Sequence, residues 1–273
     1  MKTLYLSDLD GTLLKSDGRT GGFTNAVLNG FIAKGNVFSY ATARAFETAV
    51  GVTEGLCVKA PVAVHNGSMI VDAETGKCVY LADFSREEAE RIVAAFRSEG
   101  LLPVAYSVTE GRNRFSYCPS FCGDGQRRFL RTRTGNARGS ERARAVSKEH
   151  DLLSGTVFYF SCIAERETLG RVYAKLKDLC RCFYYCDRST GDWWLEVMRS
   201  DASKASAALR IKRLTGCDRL VCFGDDVNDI PLFRIADESY APQNAIGAVK
   251  ELATGVIASN DEDGVAKWIA ALV

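Results

Sequence analysis

Leu4-Tyr5-Leu6-Ser7-Asp8-Leu9-Asp10-Gly11-Thr12-Leu13 opens the chain with an apolar strand that runs directly into two aspartates. Thr3–Ser7 is apolar without the alternation of a half-solvated strand, which predicts a strand buried on both faces, as in parallel α/β sheets. Asp8 falls at its carboxyl end. Asp10 lies two residues on, where Gly11 permits a tight turn. The end of a buried strand has no structural need of acids. A nucleophile, a proton donor and a bound cation do need them, and in open α/β sheets ligands bind at the carboxyl ends of the strands.

The flanking sequence supports such a sheet. Phe23–Lys34 has helical spacing, with Phe23, Val27, Phe31 and Ile32 on one side, and Gly35 ends it. Asn36–Ala41 reads as a second strand, Arg44–Val50 as a helix and Pro61–Val64 as a third strand, followed by a hairpin of Met69–Val71 and Cys78–Leu81. Near the other end, Ala202–Leu214 reads as a helix, Arg219–Phe223 as a strand and Gly264–Leu272 as a last helix. The middle differs. Ser85 and Glu88 form a capping box for a helix to Glu99. Thr156–Ile163 is a strongly apolar strand. Cys182–Cys186 and Trp193–Val197 read as a hairpin around Ser189–Asp192. The predicted fold is α/β: a doubly wound, Rossmann-like parallel-sheet core over 1–81 and 190–273, interrupted by an inserted α+β cap domain over 82–189.

Bulk properties narrow the function. The 273 residues are 47% hydrophobic and 25% charged, with a formal net charge of +1, so there is no electrostatic footprint for nucleic acid or a membrane surface. No apolar run approaches the roughly 20 residues of a membrane span. Met1-Lys2 leads into the strand without a signal-peptide pattern, so the chain is expected in the cytoplasm with its ten cysteines reduced. Two histidines, His65 and His150, are too few for a histidine metal site, and the cysteine spacings do not match zinc hooks.

Three further motifs share the position of Asp8, each after a strand or at a helix start. Thr42 follows the second strand in Ala41-Thr42-Ala43-Arg44, where a hydroxyl and backbone N–H groups can hold a phosphate oxygen; the alternative is a helix cap. Lys204 begins a helix, where the dipole disfavours a cation, which suggests a task for the ammonium; the alternative is an exposed surface lysine. Gly224-Asp225-Asp226-Val227-Asn228-Asp229 places acids after a buried strand, as cation ligands or as a solvated loop. A carboxylate can attack a phosphoryl group, a second can move the protons, and a divalent cation offsets their mutual repulsion.

Together these motifs resemble the haloacid dehalogenase superfamily, most closely the Cof-type branch with a type IIB cap. Asp8-Leu9-Asp10-Gly11-Thr12 matches its first motif. Ala41-Thr42-Ala43-Arg44 matches the second, with Ala43 where glycine is usual. Lys204 matches the third, and Gly224–Asp229 the fourth. Asn66-Gly67 and Asp263-Gly264-Val265 match further signatures of the branch. The resemblance implies an Mg2+-dependent phosphatase acting on small phosphorylated metabolites through an aspartyl phosphate. Asp8 would be nucleophile and metal ligand. Asp10 would be acid/base, touching metal through its backbone carbonyl. Thr42, the Ala43 N–H and Asn228 would bind phosphate. Lys204 would neutralise charge, Asp225 would ligate Mg2+, and Asp229 would hold metal-bound water or orient Lys204. A hexose phosphomutase using the same aspartates, and a non-catalytic phospho-ligand sensor, remain alternatives. In the insert, one or two arginines between Gln126 and Lys148 are candidates to grip a sugar or a second anionic group; the alternative for each is a solvated, charged helix face.

Overall fold

A computed structural model describes residues 1–135, 137–187 and 190–272, without the side chains of 137–139. Ser189, in the expected Ser189–Asp192 turn, and the Arg138 side chain of the arginine run lie outside the described residues. The chain forms two compact units, Met1–Leu81 with Ala202–Val273, and Ala82–Asp201.

In chain order the strands are β1 (Thr3–Ser7), β2 (Val37–Tyr40), β3 (Val62–Val64), β4 (Met69–Val71), β5 (Cys78–Leu81), β6 (Val104–Thr109), β7 (Arg112–Tyr117), β8 (Ala143–Ala145), β9 (Thr156–Ile163), β10 (Arg181–Cys186), β11 (Trp193–Met198), β12 (Arg219–Phe223), β13 (Glu238–Pro242) and β14 (Gly255–Ile257). The first unit holds a parallel sheet of order β14-β13-β12-β1-β2. Its two faces are covered by different helices. Ala207, Ala208 and Ile211 of helix Lys204–Leu214 pack with Leu4, Leu6, Leu220 and Cys222. On the other face Tyr5 meets Phe31 and Trp268 at ring distances of 5.1 and 6.2 Å, from helices Gly22–Ala33 and Gly264–Ala270. Burial on both sides accounts for the continuous apolar sequence of β1 and β12.

Register sets the site. Ser7 is level with Tyr40 of β2 and Phe223 of β12, so three strands end together. Asp8 N then donates to Phe223 O at 2.9 Å, and Ala41 N to Ser7 O at 2.9 Å. The loops carrying Asp8, Thr42 and Asp225 therefore leave the sheet side by side.

Two details of this unit differ from the expectation. Val62–Val64 is not a full member of the parallel sheet: β3 pairs antiparallel with β4, and β4 with β5, with one parallel bridge from Ala41 to Ala63. In helix Gly22–Ala33 the buried set is Thr24, Leu28, Phe31 and Ile32, while Phe23, in the first turn, is 49% exposed.

The second unit carries a six-stranded sheet of order β10-β11-β9-β6-β7-β8, antiparallel except for the β7–β8 pair. Helices Arg86–Arg97 and Arg166–Leu176 bury Ile92, Val93, Phe96, Leu169 and Val172 on one face, against Phe160, Leu195 and Val197. Ser85 and Glu88 make both arms of the capping box at the start of the first. The unit runs to Asp201 rather than ending at 189. The reason is β11, whose residues pair with β10 on one side and β9 on the other. All ten cysteines are free thiols, and no helix among the described residues is long and apolar enough to cross a membrane.

Strand alternation turns Leu195 and Val197 of β11 to the helices and Glu196 to the opposite face. Glu196 is 8% exposed, and burial pushes its carboxyl from 4.5 up to about 7, against a hydrogen bond with Tyr159. A raised folded-state pKa contributes stability that is complete below pH 4.5 and is lost as the pH rises through about 7. Glu196→Gln removes the titration while keeping the shape. We expect it to raise unfolding stability by about 3 kcal/mol at pH 8.5 and to be near neutral at pH 4.5. Urea unfolding at the two pH values checks this; equal effects at both would count against it.

Candidate active site

Asp8 is 5% exposed at the end of β1. The turn that follows it is closed by Leu14 N donating to Leu9 O at 2.8 Å and needs Gly11 twice over. Gly11 has φ +72, and a side chain there would collide with the Asp225 carboxylate. That close approach lets Thr12 Oγ1 donate to Asp225 Oδ1 at 2.8 Å.

Lys204 opens helix Lys204–Leu214 and is 1% exposed. Its Nζ lies 2.7 Å from Asp8 Oδ1 and 2.8 Å from Asp229 Oδ1. The cation at a helix N-terminus is thus offset by two buried carboxylates. Asp229, fully buried, also accepts from the backbone N–H groups of Asp225 (3.0 Å) and Asp226 (3.2 Å) with Oδ2. One carboxylate therefore fixes both the acidic loop and the lysine. Gly224 leaves room for it, since a Cβ there would stand 2.5 Å from Asp229 Cγ.

The charges in this pocket do not balance. Carboxylate oxygens of Asp8, Asp225 and Asp229 lie within 4.8 Å of one another. Three carboxylates against the single Lys204 ammonium leave two negative charges in excess. Burial holds the Asp8 carboxyl well above its ordinary range; Lys204 opposes this, while Asp229 and Asp225 add to it. Burial likewise raises Asp225 to about 6, against the Thr12 hydrogen bond and with the field of Asp229. Burial works against the Lys204 charge, but Asp229 and Asp8 together outweigh it and hold the ammonium above the usual lysine range. An all-oxygen donor set with two uncompensated negative charges fits a hard divalent cation such as Mg2+.

The other expected residues are arranged around this centre. The Asp10 carboxylate is not one of the grouped three and makes a bidentate pair with Arg44, at 2.8 Å to Nε and 2.6 Å to Nη2; the metal expectation for Asp10 concerns its backbone carbonyl. Thr42 is fully buried and is not a helix cap, since the next helix starts at Phe46. Its Oγ1 accepts from Arg44 N at 3.1 Å, and the hydroxyl hydrogen is left to donate elsewhere. Ala43 is exposed beside it. Asn228 Nδ2 donates to Asn66 Oδ1 at 3.1 Å.

Thr12, Arg44 and Asn66 stand inside motifs quoted from the sequence, but their partners there are far along the chain. Adjacency to Asp10, Thr42 or Gly67 was the available signal, and it does not specify a partner. In the second unit, three of the described arginines between Gln126 and Lys148 have partners within that unit: Arg128 pairs with Asp192 at 2.7 Å, Arg133 covers Phe129 and Arg142 donates to Asn113 O at 3.1 Å.

A family model described as haloacid dehalogenase-like hydrolase matches residues 5–269. The chain is similar to the HMP-PP phosphatase of Serratia proteamaculans, 26% identical over 264 residues that cover 92% of this chain and 88% of that protein. It is similar to the phosphoglycolate phosphatase of Halorubrum lacusprofundi, 27% identical over 268 residues, 97% of this chain and 95% of that one. Its fold is that of the HAD subclass IIB sugar phosphatase BT4131, with a TM-score of 0.75 at 22% identity over 100% of this chain and 99% of the other.

Proposed function

The chain belongs to the haloacid dehalogenase-like hydrolases, and from that premise we propose that it hydrolyses small phosphomonoesters with Asp8 as the nucleophile. It is a phosphoric monoester hydrolase by class, in line with relatives that are themselves phosphatases. The observation that supports the mechanism best is the 2.7 Å ion pair between Lys204 Nζ and Asp8 Oδ1 in a buried pocket. It holds one carboxylate oxygen and leaves the other to attack.

Asp8, Asp225 and the Asp10 backbone carbonyl would hold Mg2+, with Asp229 holding metal-bound water or orienting Lys204, and the ion when bound supplies the positive charge that lets an anionic phosphoryl group approach three carboxylates. Asp8 attacks phosphorus in line, forming an aspartyl phosphate while the bond to the leaving oxygen breaks. Asp10 gives that oxygen its proton, then takes one from the water that opens the aspartyl phosphate. For this its carboxylate leaves the Arg44 pair. Lys204, the Thr42 hydroxyl, the Ala43 N–H and the Asn228 amide meet the charge spread over the transferring oxygens. Substrates are small phosphorylated metabolites. The relatives' names favour hydrolysis over phosphoryl return to substrate, since both are phosphatases.

The expected result is steady release of inorganic phosphate from p-nitrophenyl phosphate with Mg2+, and its loss after exhaustive EDTA treatment with recovery on adding Mg2+. The same cation should raise the melting temperature, because it binds the folded acid cluster and not the dispersed unfolded one. Full activity in EDTA would overturn the reading. A panel of phosphorylated metabolites then ranks substrates by kcat/KM.

A further inference from the structure

His65-Asn66-Gly67 follows β3 with three consecutive left-handed residues, at φ 49, 54 and 87. Left-handed backbone is unfavourable for residues with a Cβ and persists where the surroundings over-determine it, often beside functional sites. All three residues are buried, and each is tied to a different part of the site. His65 N donates to Arg44 O at 3.0 Å and Asn66 N to Thr42 O at 2.9 Å, so the turn clasps the loop Thr42–Arg44 at both ends. Gly67 has no room for a side chain, because a Cβ there would collide with the Ser203 carbonyl and stand 3.0 Å from Lys204 N. Asn66 Oδ1 accepts from Asn228 Nδ2 at 3.1 Å. One short turn therefore fixes the relative places of Thr42, Lys204 and Asn228, which arrive from three separate stretches of chain.

We propose that Asn66 is a positioning residue for phosphate binding, holding the Asn228 amide so that its nitrogen faces the transferring phosphoryl group. The inference rests on the phosphatase reading above. Asn228 Nδ2 carries two hydrogens. Asn66 takes one, which fixes the amide plane and leaves the second to donate to a phosphate oxygen. Asn228 Oδ1 has no hydrogen-bond partner among the described residues, so the Asn66 contact is what fixes the amide's rotation. Asn66 is 2% exposed, and its own oxygen, committed to Asn228, is unsuited to an anion. Its effect on phosphate is therefore assigned through Asn228, and a direct bond from Asn66 Nδ2 to phosphate would show as additivity in the test below.

The test is a double-mutant cycle read by competitive inhibition by inorganic phosphate, in wild-type protein already shown to release phosphate from p-nitrophenyl phosphate. A wild type without that activity fails the phosphatase reading, whereas in an active wild type the cycle addresses Asn66 alone. Asn66→Gly keeps the left-handed backbone at no cost and deletes only the side chain. The inhibition constant for phosphate is expected to rise about tenfold, as for loss of one oriented hydrogen bond. In the Asn228→Ala background the same substitution is expected to change it less than about twofold, since the route through Asn228 is gone. A packing role would shift both backgrounds alike. An unchanged constant in Asn66→Gly, or full additivity with Asn228→Ala, overturns the proposal. Asn66→Asp keeps the acceptor and the left-handed conformation and covers the case in which Asn66→Gly does not fold. There Asn228→Ala should cost as much as in wild type, and a vanished cost overturns the proposal equally.

Discussion

Asp8→Asn is expected to lower phosphate release from p-nitrophenyl phosphate by roughly 10³-fold or more, with the fold intact. The carboxamide is nearly the same shape and its oxygen can still accept from Lys204 Nζ, now 2.7 Å from Asp8 Oδ1. It cannot attack phosphorus, so the covalent route closes. A structural effect of the substitution has the opposite sign to a loss. The Asp8 carboxyl is held well above its ordinary range, first by burial and then by Asp229 and Asp225, against Lys204. Such a group contributes stability at low pH that is lost as the pH rises through its folded-state pKa. At pH 7.5 without metal, removing the charge should leave the melting temperature unchanged or raise it. With Mg2+ added, the variant should gain less than wild type, because a charged carboxylate donor of the acid cluster is gone. Activity above about a tenth of wild type would sink Asp8 as the nucleophile. A collapse of the melting temperature would show that the lost activity reflects lost fold.

How much of this was legible in the sequence depends on where each partner lies. β1 and β12 declared themselves by continuous apolar runs, and the acids at their ends stood out because a buried strand gives acids no other purpose. The level ends of β1, β2 and β12 follow from parallel pairing, so Asp8, Thr42 and Asp225 could be expected near one another. Pairing direction in Val62–Val64 could not be read, since three apolar residues carry no period to separate a sheet member from an antiparallel edge. An insert ending at 189 cuts through the hairpin that the sequence itself joins from Cys182–Cys186 and Trp193–Val197. Two strands of a hairpin share a sheet, so the boundary belongs after β11. The Asp10–Arg44 pair and the Asn66–Asn228 bond span 34 and 162 residues. Such partners are chosen by tertiary structure, and no local pattern encodes them.

Lys204→Met should be among the most damaging single changes to stability in the first unit. The lysine is 1% exposed, and its Nζ is shared by Asp8 at 2.7 Å and Asp229 at 2.8 Å. Methionine fills a similar volume without the charge, so the cost comes from electrostatics rather than from a cavity. Three carboxylates would then share one buried pocket with no cation. Breaking a buried ion pair from one side typically costs about 3–5 kcal/mol, because the remaining charge is left desolvated. We expect a loss on that scale by urea unfolding at pH 7.5 in EDTA, together with a fall in activity of about 10²-fold or more. Two conditions should shrink the stability loss. At pH 5 the Asp225 carboxyl, already raised to about 6 with the lysine present, takes up a proton and the repulsion falls. Saturating Mg2+ supplies positive charge to the same acids, so the variant should gain more stability from the cation than wild type does. The same reasoning makes Lys204→Met milder when Asp8 is already asparagine, since one fewer charge is orphaned. A loss below about 1 kcal/mol, or one indifferent to pH and Mg2+ alike, would mean that the ammonium is not what holds these carboxylates together.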